Sequence, residues 1–392
     1  MSADPPEKEV PPEVRTWQLE PQIRDLRDQG LWRELRTVDS AQGPVIAHEG
    51  REYQNFSSND YLGLAGSEAL KAALHEGVER YGAGAGASRL VCGTLKPHVE
   101  LEAALAVFKG CEAALTFSSG YAVALGTIPA LMGAGDTLIL DKLCHASLVD
   151  AARLSGATMR IFPHNQLGKL ERLLQTATGR VLIVTESIFS MDGDACPLAE
   201  IVELKERHGA WLMLDEAHAV GVVGPQGRGL AAHLGLESKV ELQMGTLSKA
   251  IGLSGGYLAA SRQVVDLLIN RARSFIYSTA PPPSIAHAAK AALDLVAGPE
   301  GEKRRQDLWR HIDLLKSRMQ SPANTAAAIL PLMVGDEAAA VAMSLHLREQ
   351  GFLIPAIRYP TVARGKARLR ITLSAAHETA QVERLAEAIS AA

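Results

Sequence analysis

The chain has 392 residues, of which 47% are hydrophobic and 21% charged, so it has the composition of a globular protein and is too long for one small module. Forty Lys and Arg residues against forty-four Asp and Glu residues give a formal net charge of -4. This balance excludes a global positive field that would hold nucleic acid or an anionic membrane, so any phosphate must be bound locally.

The N-terminal part of the chain differs in composition from the rest. Residues 1–13 are rich in proline and glutamate, which predicts a disordered tail, and they lack the basic and then apolar order of a signal peptide. Trp, Leu and Ile recur at helical spacing over residues 17–38. A helical N-terminal arm is therefore expected within residues 14–58.

Two features bear on where the protein is located. The four cysteines, Cys92, Cys111, Cys144 and Cys196, are scattered without a CxxC pair, so neither a disulfide framework nor a metal site is expected and the cytoplasm is the predicted location. Residues 113–135 carry no charged side chain and are long enough to span a membrane. Their glycines, serines and Pro129 instead favour a buried helix.

Short apolar runs alternate with helical stretches from about residue 59 to residue 278. Three of the clearest runs are residues 181–184, 211–214 and 257–260. This alternation predicts an α/β fold in which a mainly parallel central sheet has helices on both faces. Ligands of such sheets bind at the carboxyl ends of the strands. We place a large domain at residues 59–283.

Three consecutive prolines at 281–283 interrupt the pattern and are followed by a long helical stretch rich in alanine and leucine. Beyond it the sequence predicts a strand at residues 330–334, a helix near 337–350 and a strand at 368–373. A smaller α+β C-terminal domain is therefore expected at residues 284–392.

Several side chains that could take part in catalysis or ligand binding follow the predicted strands. Asp215 ends the run 211–214 and His218 follows three residues later. A carboxylate at a buried strand end needs a cationic partner, so an ordinary salt bridge is one interpretation of this pair. Lys249 follows Thr246 and Ser248, whose hydroxyls could hold a phosphate while the lysine forms an imine with an aldehyde cofactor. A solvated lysine is the alternative.

A second candidate phosphate site lies at residues 117–121. Ser118, Ser119 and Gly120 are predicted to open a helix, and the N-terminal amides of a helix bind anions. Together these pieces meet the needs of pyridoxal phosphate, because Asp215 would keep the ring nitrogen protonated and make the ring an electron sink. His145 could stack on the ring, although a lone histidine is more often structural.

Five ordered segments resemble the α-oxoamine synthase family of fold-type I pyridoxal-phosphate enzymes: residues 55–64, 189–194, 276–279, 356–361 and 367–378. The resemblance extends from about Gln22 to the C terminus. It implies the fold of a fold-type I pyridoxal-phosphate-dependent transferase, with an N-terminal helical arm and a small C-terminal domain. It also implies a cytoplasmic homodimer with shared active sites.

The resemblance assigns roles to individual residues. Three of them are catalytic: Lys249 matches the Schiff-base lysine, Asp215 the partner of the pyridine nitrogen, and His145 the residue stacked on the ring. His218 matches a donor to the ring phenolate oxygen. The other implied cofactor contacts are Gly120, Tyr121 (where the family usually has Phe), Ser190, Thr246, Ser248, and, from the neighbouring subunit, Ser278 and Thr279.

The implied reaction is a decarboxylative condensation of L-alanine with pimeloyl-CoA or a pimeloyl carrier protein, which yields a biotin precursor. In it the Lys249 amine would remove the α-proton of alanine. Arg370 matches the arginine that binds the amino-acid carboxylate, with Asn59 assisting and His145 positioning the substrate. Arg33 and Thr361 match acyl-substrate contacts, and Arg36 is a rival of Arg33.

Other members of the family are the nearest alternatives: glycine C-acetyltransferase, 5-aminolevulinate synthase and serine palmitoyltransferase. Residues 91–94 favour the glycine acetyltransferases, whereas residues 367–378 favour the enzymes that use pimeloyl thioesters. Specificity between acyl groups can depend on one or two pocket residues that a sequence pattern does not reveal.

Three interpretations come from other classes of protein. Residues 252–256 match the nucleophile elbow of a serine hydrolase using Ser254, with His377 as base, but a strand-like run follows where the elbow needs a helix. The glycine-rich residues 81–87 resemble a dinucleotide-binding turn, yet they follow a predicted helix at 68–80 instead of a strand. A pyridoxal-phosphate-binding protein without catalysis is disfavoured because every implied catalytic position is filled.

Overall fold

The computed structural model describes residues 19–29, 31–319 and 325–391. The chain divides into two compact units, residues 1–38 and residues 39–392. The disordered tail predicted at residues 1–13 lies outside the described residues. The domain boundaries predicted at residues 58 and 283 are not tested by this division and stay predictions.

The described part of the first unit contains one helix, α1 (Glu20–Asp28). The backbone amides of Leu31 and Trp32 both donate to the carbonyl of Leu26, and the Arg27 guanidinium lies 4.6 Å from the Trp32 ring centroid. Residues 31–38 have no helical structure. The helix expected over residues 17–38 is therefore wrong in its second half, where Gly30 in the sequence disfavours continuation of the helix.

The second unit contains the other helices and all the strands described. Its helices are α2 (Glu68–Tyr81), α3 (Lys96–Lys109), α4 (Gly120–Leu131), α5 (Ala146–Ser155), α6 (Leu167–Gln175), α7 (Leu198–His208), α8 (Leu230–His233), α9 (Arg262–Arg271), α10 (Arg273–Ile276), α11 (Pro283–Ala297), α12 (Pro299–Arg318), α13 (Glu337–Glu349) and α14 (Thr379–Ala391). Its strands are β1 (Val45–His48), β2 (Arg51–Asn55), β3 (Ala113–Phe117), β4 (Thr137–Asp141), β5 (Thr158–Phe162), β6 (Val181–Glu186), β7 (Trp211–Asp215), β8 (Leu242–Thr246), β9 (Gly256–Ala260), β10 (Ile329–Gly335), β11 (Phe352–Leu353), β12 (Ala356–Ile357) and β13 (Ala367–Thr372).

The central sheet has seven strands in the order β3-β9-β8-β7-β6-β4-β5. Strand β9 pairs antiparallel with both β3 and β8, whereas the other neighbouring pairs are parallel. The mainly parallel sheet predicted from the apolar runs is therefore confirmed. Two sheets of three strands, β1-β2-β11 and β10-β13-β12, accompany it.

Both faces of the central sheet are buried, because successive side chains of a strand point to opposite faces. In β4, Ile139 belongs to one hydrophobic core, and Leu138 and Leu140 belong to the other. In β7, Leu212 and Leu214 belong to the first core and Met213 to the second. Helices cover both faces, and this explains why the strands appear in the sequence as continuous apolar runs.

The uncharged stretch at residues 113–135 forms two elements where one buried helix was expected. Residues 113–117 are strand β3, and the chain then turns into α4 at the N-cap Ser119, whose side-chain oxygen accepts from the amide of Ala122. The β-propensity of this run and the capping serine explain the break. Within the described residues, no helix is both long and apolar enough to cross a membrane.

The C-terminal part of the unit confirms the elements predicted for it. Strand β10 pairs antiparallel with β13, and α13 follows β10 from the N-cap Asp336. This pairing has a functional consequence, because it places Arg370 opposite Pro331 in the middle of a buried strand.

Candidate active site

A cavity of about 240 Å³ opens at the carboxyl ends of the parallel strands, where the sheet was expected to bind ligands. It brings together eight of the residues predicted for the site with five others. Its lining residues are Ser119, Gly120, Tyr121, His145, Ser147, Glu186, Asp215, Ala217, His218, Met244, Thr246, Ser248 and Lys249.

Local structure explains why these side chains meet. Glu186, Asp215 and Thr246 are the last residues of the neighbouring strands β6, β7 and β8. His145 is the N-cap of α5, and its Nδ1 accepts from the amide of Ser147 at 3.3 Å. Parallel strands end at one edge of a sheet, so residues far apart in sequence converge there.

Hydroxyl groups and a helix N terminus form the part of the cavity suited to an anion. The Thr246 Oγ1 lies 2.7 Å from the Ser248 Oγ and donates to the Gly255 carbonyl at 2.9 Å. Gly120 and Tyr121 begin α4, and the first amides of this helix form the positive end of its dipole. The Tyr121 hydroxyl donates to Asp150.

The amine of Lys249 lies at the centre of the polar contacts. Its Nζ lies 2.7 Å from the Nε2 of His218, and the Nδ1 of His218 lies 2.6 Å from the Tyr61 hydroxyl. Burial lowers the pKa of Lys249 to about 8, although the carboxylates of Asp215 and Glu186 oppose the shift. Burial also lowers the pKa of His218 well below its usual range, and the charge of Lys249 adds to this effect.

Two carboxylates are buried side by side beneath the cavity. Glu186 pairs with Asp215 in the register of β6 and β7. Burial raises the pKa of Asp215, and it raises the pKa of Glu186 to about 8 with a further contribution from the charge of Asp215. The Oδ1 of Asp215 accepts from the amide of Ala217 at 2.9 Å, and the Oε1 of Glu186 accepts from the amide of His145 at 2.6 Å.

Arg370 lies in β13 and is linked to the cavity through other side chains. Its Nη2 donates to the Asn59 Oδ1 at 3.1 Å, and its Nε donates to the Ser190 carbonyl at 2.7 Å. The Tyr61 hydroxyl lies 3.1 Å from the same Asn59 oxygen. Three residues predicted from separate segments, Asn59, Ser190 and Arg370, are thus held in one network.

Sequence reasoning missed Glu186 and Tyr61 as site residues. Glu186 could have been found from its position. It lies two residues after the apolar run 181–184, much as Asp215 follows the run 211–214. Tyr61 lies inside the segment 55–64 and gave no separate signal, since a tyrosine there is equally consistent with a core residue.

Four further predicted residues neither line this cavity nor belong to the Arg370 network in the described part of one chain. Thr361 follows the cis peptide bond between Tyr359 and Pro360. Ser278 and Thr279 lie after α10, and Thr279 forms a β-bridge with Ser88. Arg33, like its rival Arg36, belongs to the first unit. The roles assigned to these residues stay predictions.

The serine hydrolase interpretation is wrong. Ser254 is exposed in a loop between two strands, β8 and β9, so the helix that should follow the nucleophile is replaced by a strand. The Nδ1 of His377 accepts from the amide of Ser374 at 3.0 Å, and its Nε2 lies 3.1 Å from the carbonyl of Asn55. The glycine-rich residues 81–87 follow α2, so the dinucleotide interpretation also fails.

Comparison with known sequences agrees with this geometry. The sequence pattern described as aminotransferase class I and II matches residues 51–389. The chain belongs to this family. An 8-amino-7-oxononanoate synthase of Geobacter sulfurreducens is 50% identical over 375 residues, which cover 94% of this chain and 96% of that protein. Further relatives that are 44–47% identical carry the same name.

Solved structures give the same fold. A serine palmitoyltransferase with PLP internal aldimine superposes with a TM-score of 0.89 and 29% identity, covering 95% of this chain and 96% of that one. The 8-amino-7-oxononanoate synthase of Francisella tularensis superposes with a TM-score of 0.74 and 27% identity, covering 86% and 96%. The fold is the fold-type I fold of pyridoxal-phosphate enzymes.

The residues of the cavity fit pyridoxal phosphate. Lys249 offers an amine whose pKa is near neutrality, and Asp215 offers a buried carboxylate for a pyridine nitrogen. The α4 N terminus, Thr246 and Ser248 offer donors for a phosphate. His145 offers an imidazole, and burial lowers its pKa and favours the neutral ring.

Proposed function

We propose that the protein condenses L-alanine with a pimeloyl thioester, releasing CO2 and the thiol and forming 8-amino-7-oxononanoate for biotin biosynthesis. The observation that carries the proposal is the 50% identity, over nearly the full length of both chains, to a relative named for this activity. The cavity supports it, because an amine, a carboxylate and an anion site meet there.

The amino-acid substrate is assigned to Arg370 and Asn59. A guanidinium binds a carboxylate through two parallel hydrogen bonds, and Arg370 is buried and held in place by Asn59 and Ser190. Its connection to Lys249 through Asn59, Tyr61 and His218 supports a substrate bound between the arginine and the lysine.

Lys249 has two tasks in the proposed reaction. Its amine would bind the cofactor covalently in the resting protein, and the same amine, once free, would take the α-proton of alanine. When bound, pyridoxal phosphate supplies an electron sink for the negative charge that this proton transfer leaves on the substrate. A general base is most effective when its pKa lies near the working pH, and burial lowers the pKa of Lys249 to about 8.

Three other residues prepare the cavity for this chemistry. Asp215, a buried carboxylate at the end of β7, would pair with a protonated cofactor nitrogen. His145 is fixed by Glu186 and Ser147 at the cavity and would contact the cofactor ring there. His218 would donate to the ring phenolate oxygen through Nε2, the nitrogen that faces Lys249.

The acyl side of the site is assigned by resemblance alone. Thr361 and Arg33, with Arg36 as the rival of Arg33, are proposed to contact the pimeloyl thioester. The donor is pimeloyl-CoA or a pimeloyl carrier protein.

A homodimer completes the proposed site. Ser278 and Thr279 would reach the phosphate bound by a second copy of the chain. The adjoining surface is apolar and open, since Tyr277 is 72%, Val91 78% and Leu90 53% exposed. Contact with a second copy would bury these side chains together with the bridge between Ser88 and Thr279. Four free cysteines agree with the cytoplasm as the proposed location.

A pair of assays tests the proposed function against the nearest alternative. Purified protein loaded with pyridoxal phosphate is supplied with L-alanine and pimeloyl-CoA, or with glycine and acetyl-CoA, and products are identified by mass spectrometry. We expect far higher kcat/KM for the first pair. The opposite ranking would assign the chain to the glycine acetyltransferases, and a Lys249→Ala variant should be inactive with both pairs.

A further inference from the structure

A continuous chain of hydrogen bonds runs through the candidate active site from Arg370 to Lys249. The Arg370 Nη2 donates to the Asn59 Oδ1 at 3.1 Å, and the Tyr61 hydroxyl lies 3.1 Å from that oxygen. The same hydroxyl lies 2.6 Å from the His218 Nδ1, and the His218 Nε2 lies 2.7 Å from the Lys249 Nζ. Tyr61 therefore contacts both Asn59 and His218 with a single proton to share.

Burial fixes how many protons Tyr61 and His218 carry in this series of hydrogen bonds. Tyr61 is fully buried, and burial raises its pKa to about 12, so the hydroxyl keeps its proton at neutral pH. Burial holds the pKa of His218 well below its usual range, so the imidazole is neutral. A neutral imidazole carries one N–H, so one ring nitrogen of His218 must donate and the other must accept.

Two arrangements of protons keep Tyr61 hydrogen-bonded to a neutral His218. In the first, Tyr61 donates to Asn59, the His218 Nδ1–H donates to the Tyr61 oxygen, and the His218 Nε2 accepts from Lys249. In the second, Tyr61 donates to the His218 Nδ1, and the Nε2–H becomes a donor toward the cavity. Asn59 remains paired in both, because its Oδ1 accepts from Arg370.

The state of Lys249 selects between the arrangements. An ammonium group can only donate, so in the protein without cofactor it requires the His218 Nε2 to accept. A lysine joined to pyridoxal phosphate no longer offers that ammonium, and a phenolate oxygen requires a donor. The need for a donor to the phenolate rests on the proposed function. The need for an acceptor of the Lys249 ammonium follows from the observed hydrogen bonds alone.

We propose that Tyr61 is a positioning residue whose hydroxyl reverses its hydrogen bond to His218 when pyridoxal phosphate binds. It accepts from the Nδ1–H in the protein without cofactor and donates to Nδ1 in the loaded protein. His218 thereby changes from an acceptor of the Lys249 ammonium into a donor toward the cofactor. A phenylalanine at residue 61 could serve in neither state.

The direct test is the tautomer of His218, measured by two-bond 1H–15N NMR on the full chain labelled at histidine. Signals of His218 are assigned by their loss in a His218→Asn variant. We expect Nδ1–H without cofactor and Nε2–H after loading with pyridoxal phosphate. The same tautomer in both states would overturn the proposal while leaving turnover of alanine with pimeloyl-CoA, and hence the proposed function, intact.

Tyr61→Phe supplies a second readout, and the chain offers a matched control in Tyr257→Phe. The Tyr257 hydroxyl is as deeply buried, but it has no hydrogen-bond partner among the described residues. Tyr61→Phe removes the partner of the His218 Nδ1 in both states, so the two losses largely offset each other in the affinity for pyridoxal phosphate. The readout is the absorption band of the bound cofactor, which should titrate at higher pH in Tyr61→Phe, since a weaker donor leaves the phenolate more basic.

Tyr257→Phe should leave the titration unchanged. Equal shifts in the two variants would mean that any buried hydroxyl has this effect, and an unchanged titration in Tyr61→Phe would mean that its hydroxyl does not act on His218. Either result overturns the proposal. The tautomer is measured on the unaltered chain, with His218→Asn used for signal assignment alone, so it decides the question even if Tyr61→Phe fails to fold.

Discussion

Glu186 and Asp215 lie opposite each other at the ends of β6 and β7, so two buried carboxylates share one edge of the central sheet. Neighbouring like charges in a poorly solvated site disfavour double ionisation. Asp215 is the residue proposed to pair, in its charged form, with the cofactor nitrogen. The proton is therefore expected on Glu186, whose pKa burial and Asp215 together raise to about 8.

This pair predicts how stability depends on pH in the protein without cofactor. Glu186 holds a proton in the folded state that the unfolded chain releases near pH 4.5. Its contribution to stability is therefore fully present below about 4.5 and is lost as pH rises through about 8, with a slope of up to about 1.4 kcal/mol per pH unit. Glu186→Gln cannot ionise and should show a flatter curve of unfolding free energy in urea between pH 5 and 8.

The control for this experiment is Glu203→Gln, which changes an exposed carboxylate in α7. Its curve should follow that of the unaltered protein. If Glu186→Gln and the unaltered protein have parallel curves, Glu186 is ionised throughout and the proton is held elsewhere.

The pKa of Lys249 predicts the pH dependence of covalent cofactor capture. Only the neutral amine attacks an aldehyde, and burial lowers the pKa of this lysine to about 8 from 10.5. The rate at which borohydride fixes pyridoxal phosphate to the protein should therefore rise with a midpoint near pH 8. Lys249→Ala should fix none, whereas Lys239→Ala, at an exposed lysine, should retain the full rate. A midpoint above pH 10 would contradict the burial of the amine.

Much of the site was predictable because its residues follow a rule of geometry. Asp215 and Thr246 each end an apolar run, and parallel strands bring such ends to one edge. Lys249 was predictable from the small and hydroxyl residues around it. Residues 113–117 were misassigned to a helix because a short apolar run carries no periodicity that separates strand from helix.

Tyr61 and the Lys109–Glu216 pair belong to a different class, since their importance depends on tertiary contacts. Nothing in the local sequence relates Tyr61 to His218, which is 157 residues away. Lys109 is a basic residue at the end of α3, where lysines are commonly exposed, yet its side chain is completely buried. Long-range pairing of this kind leaves no periodic signal in the chain.

The Lys109–Glu216 ion pair predicts a large stability effect next to the site. Lys109 binds Glu216 and the Arg228 carbonyl, and both charged side chains are fully buried. Lys109→Met should lower the unfolding free energy by about 3–5 kcal/mol, because it leaves the Glu216 charge unpaired. The double variant Lys109→Met with Glu216→Gln should recover most of that loss in urea unfolding. Additive losses would mean that the two side chains do not interact.

Arg370 predicts a specific change in substrate affinity. Lysine keeps the positive charge but cannot form two parallel hydrogen bonds to a carboxylate. Arg370→Lys should therefore raise the KM for L-alanine by roughly 10- to 100-fold, as expected for one lost charged hydrogen bond. Arg368→Lys is the matched control, because Arg368 lies two residues away on β13 and binds Asp192 and the Met191 carbonyl. Equal increases in KM would indicate a general disturbance of β13.

The close contact between Gly256 and the start of α4 predicts that a larger side chain at residue 256 disturbs the anion site. A Cβ at this residue of β9 would lie 2.6 Å from the amide nitrogen of Gly120, the first residue of α4. Gly256→Ala must therefore displace the helix N terminus, and since those amides are proposed to bind the phosphate we expect roughly tenfold weaker binding of pyridoxal phosphate. Pyridoxal, which lacks the phosphate, should bind the variant and the unaltered protein nearly equally.

Gly133→Ala is the control, because its Cβ would meet nothing within 4 Å. It should change neither affinity, as measured by fluorescence titration. If Gly256→Ala weakened both ligands alike, the displacement would reach Lys249 and Asp215 as well, and the phosphate could not be assigned to the start of α4.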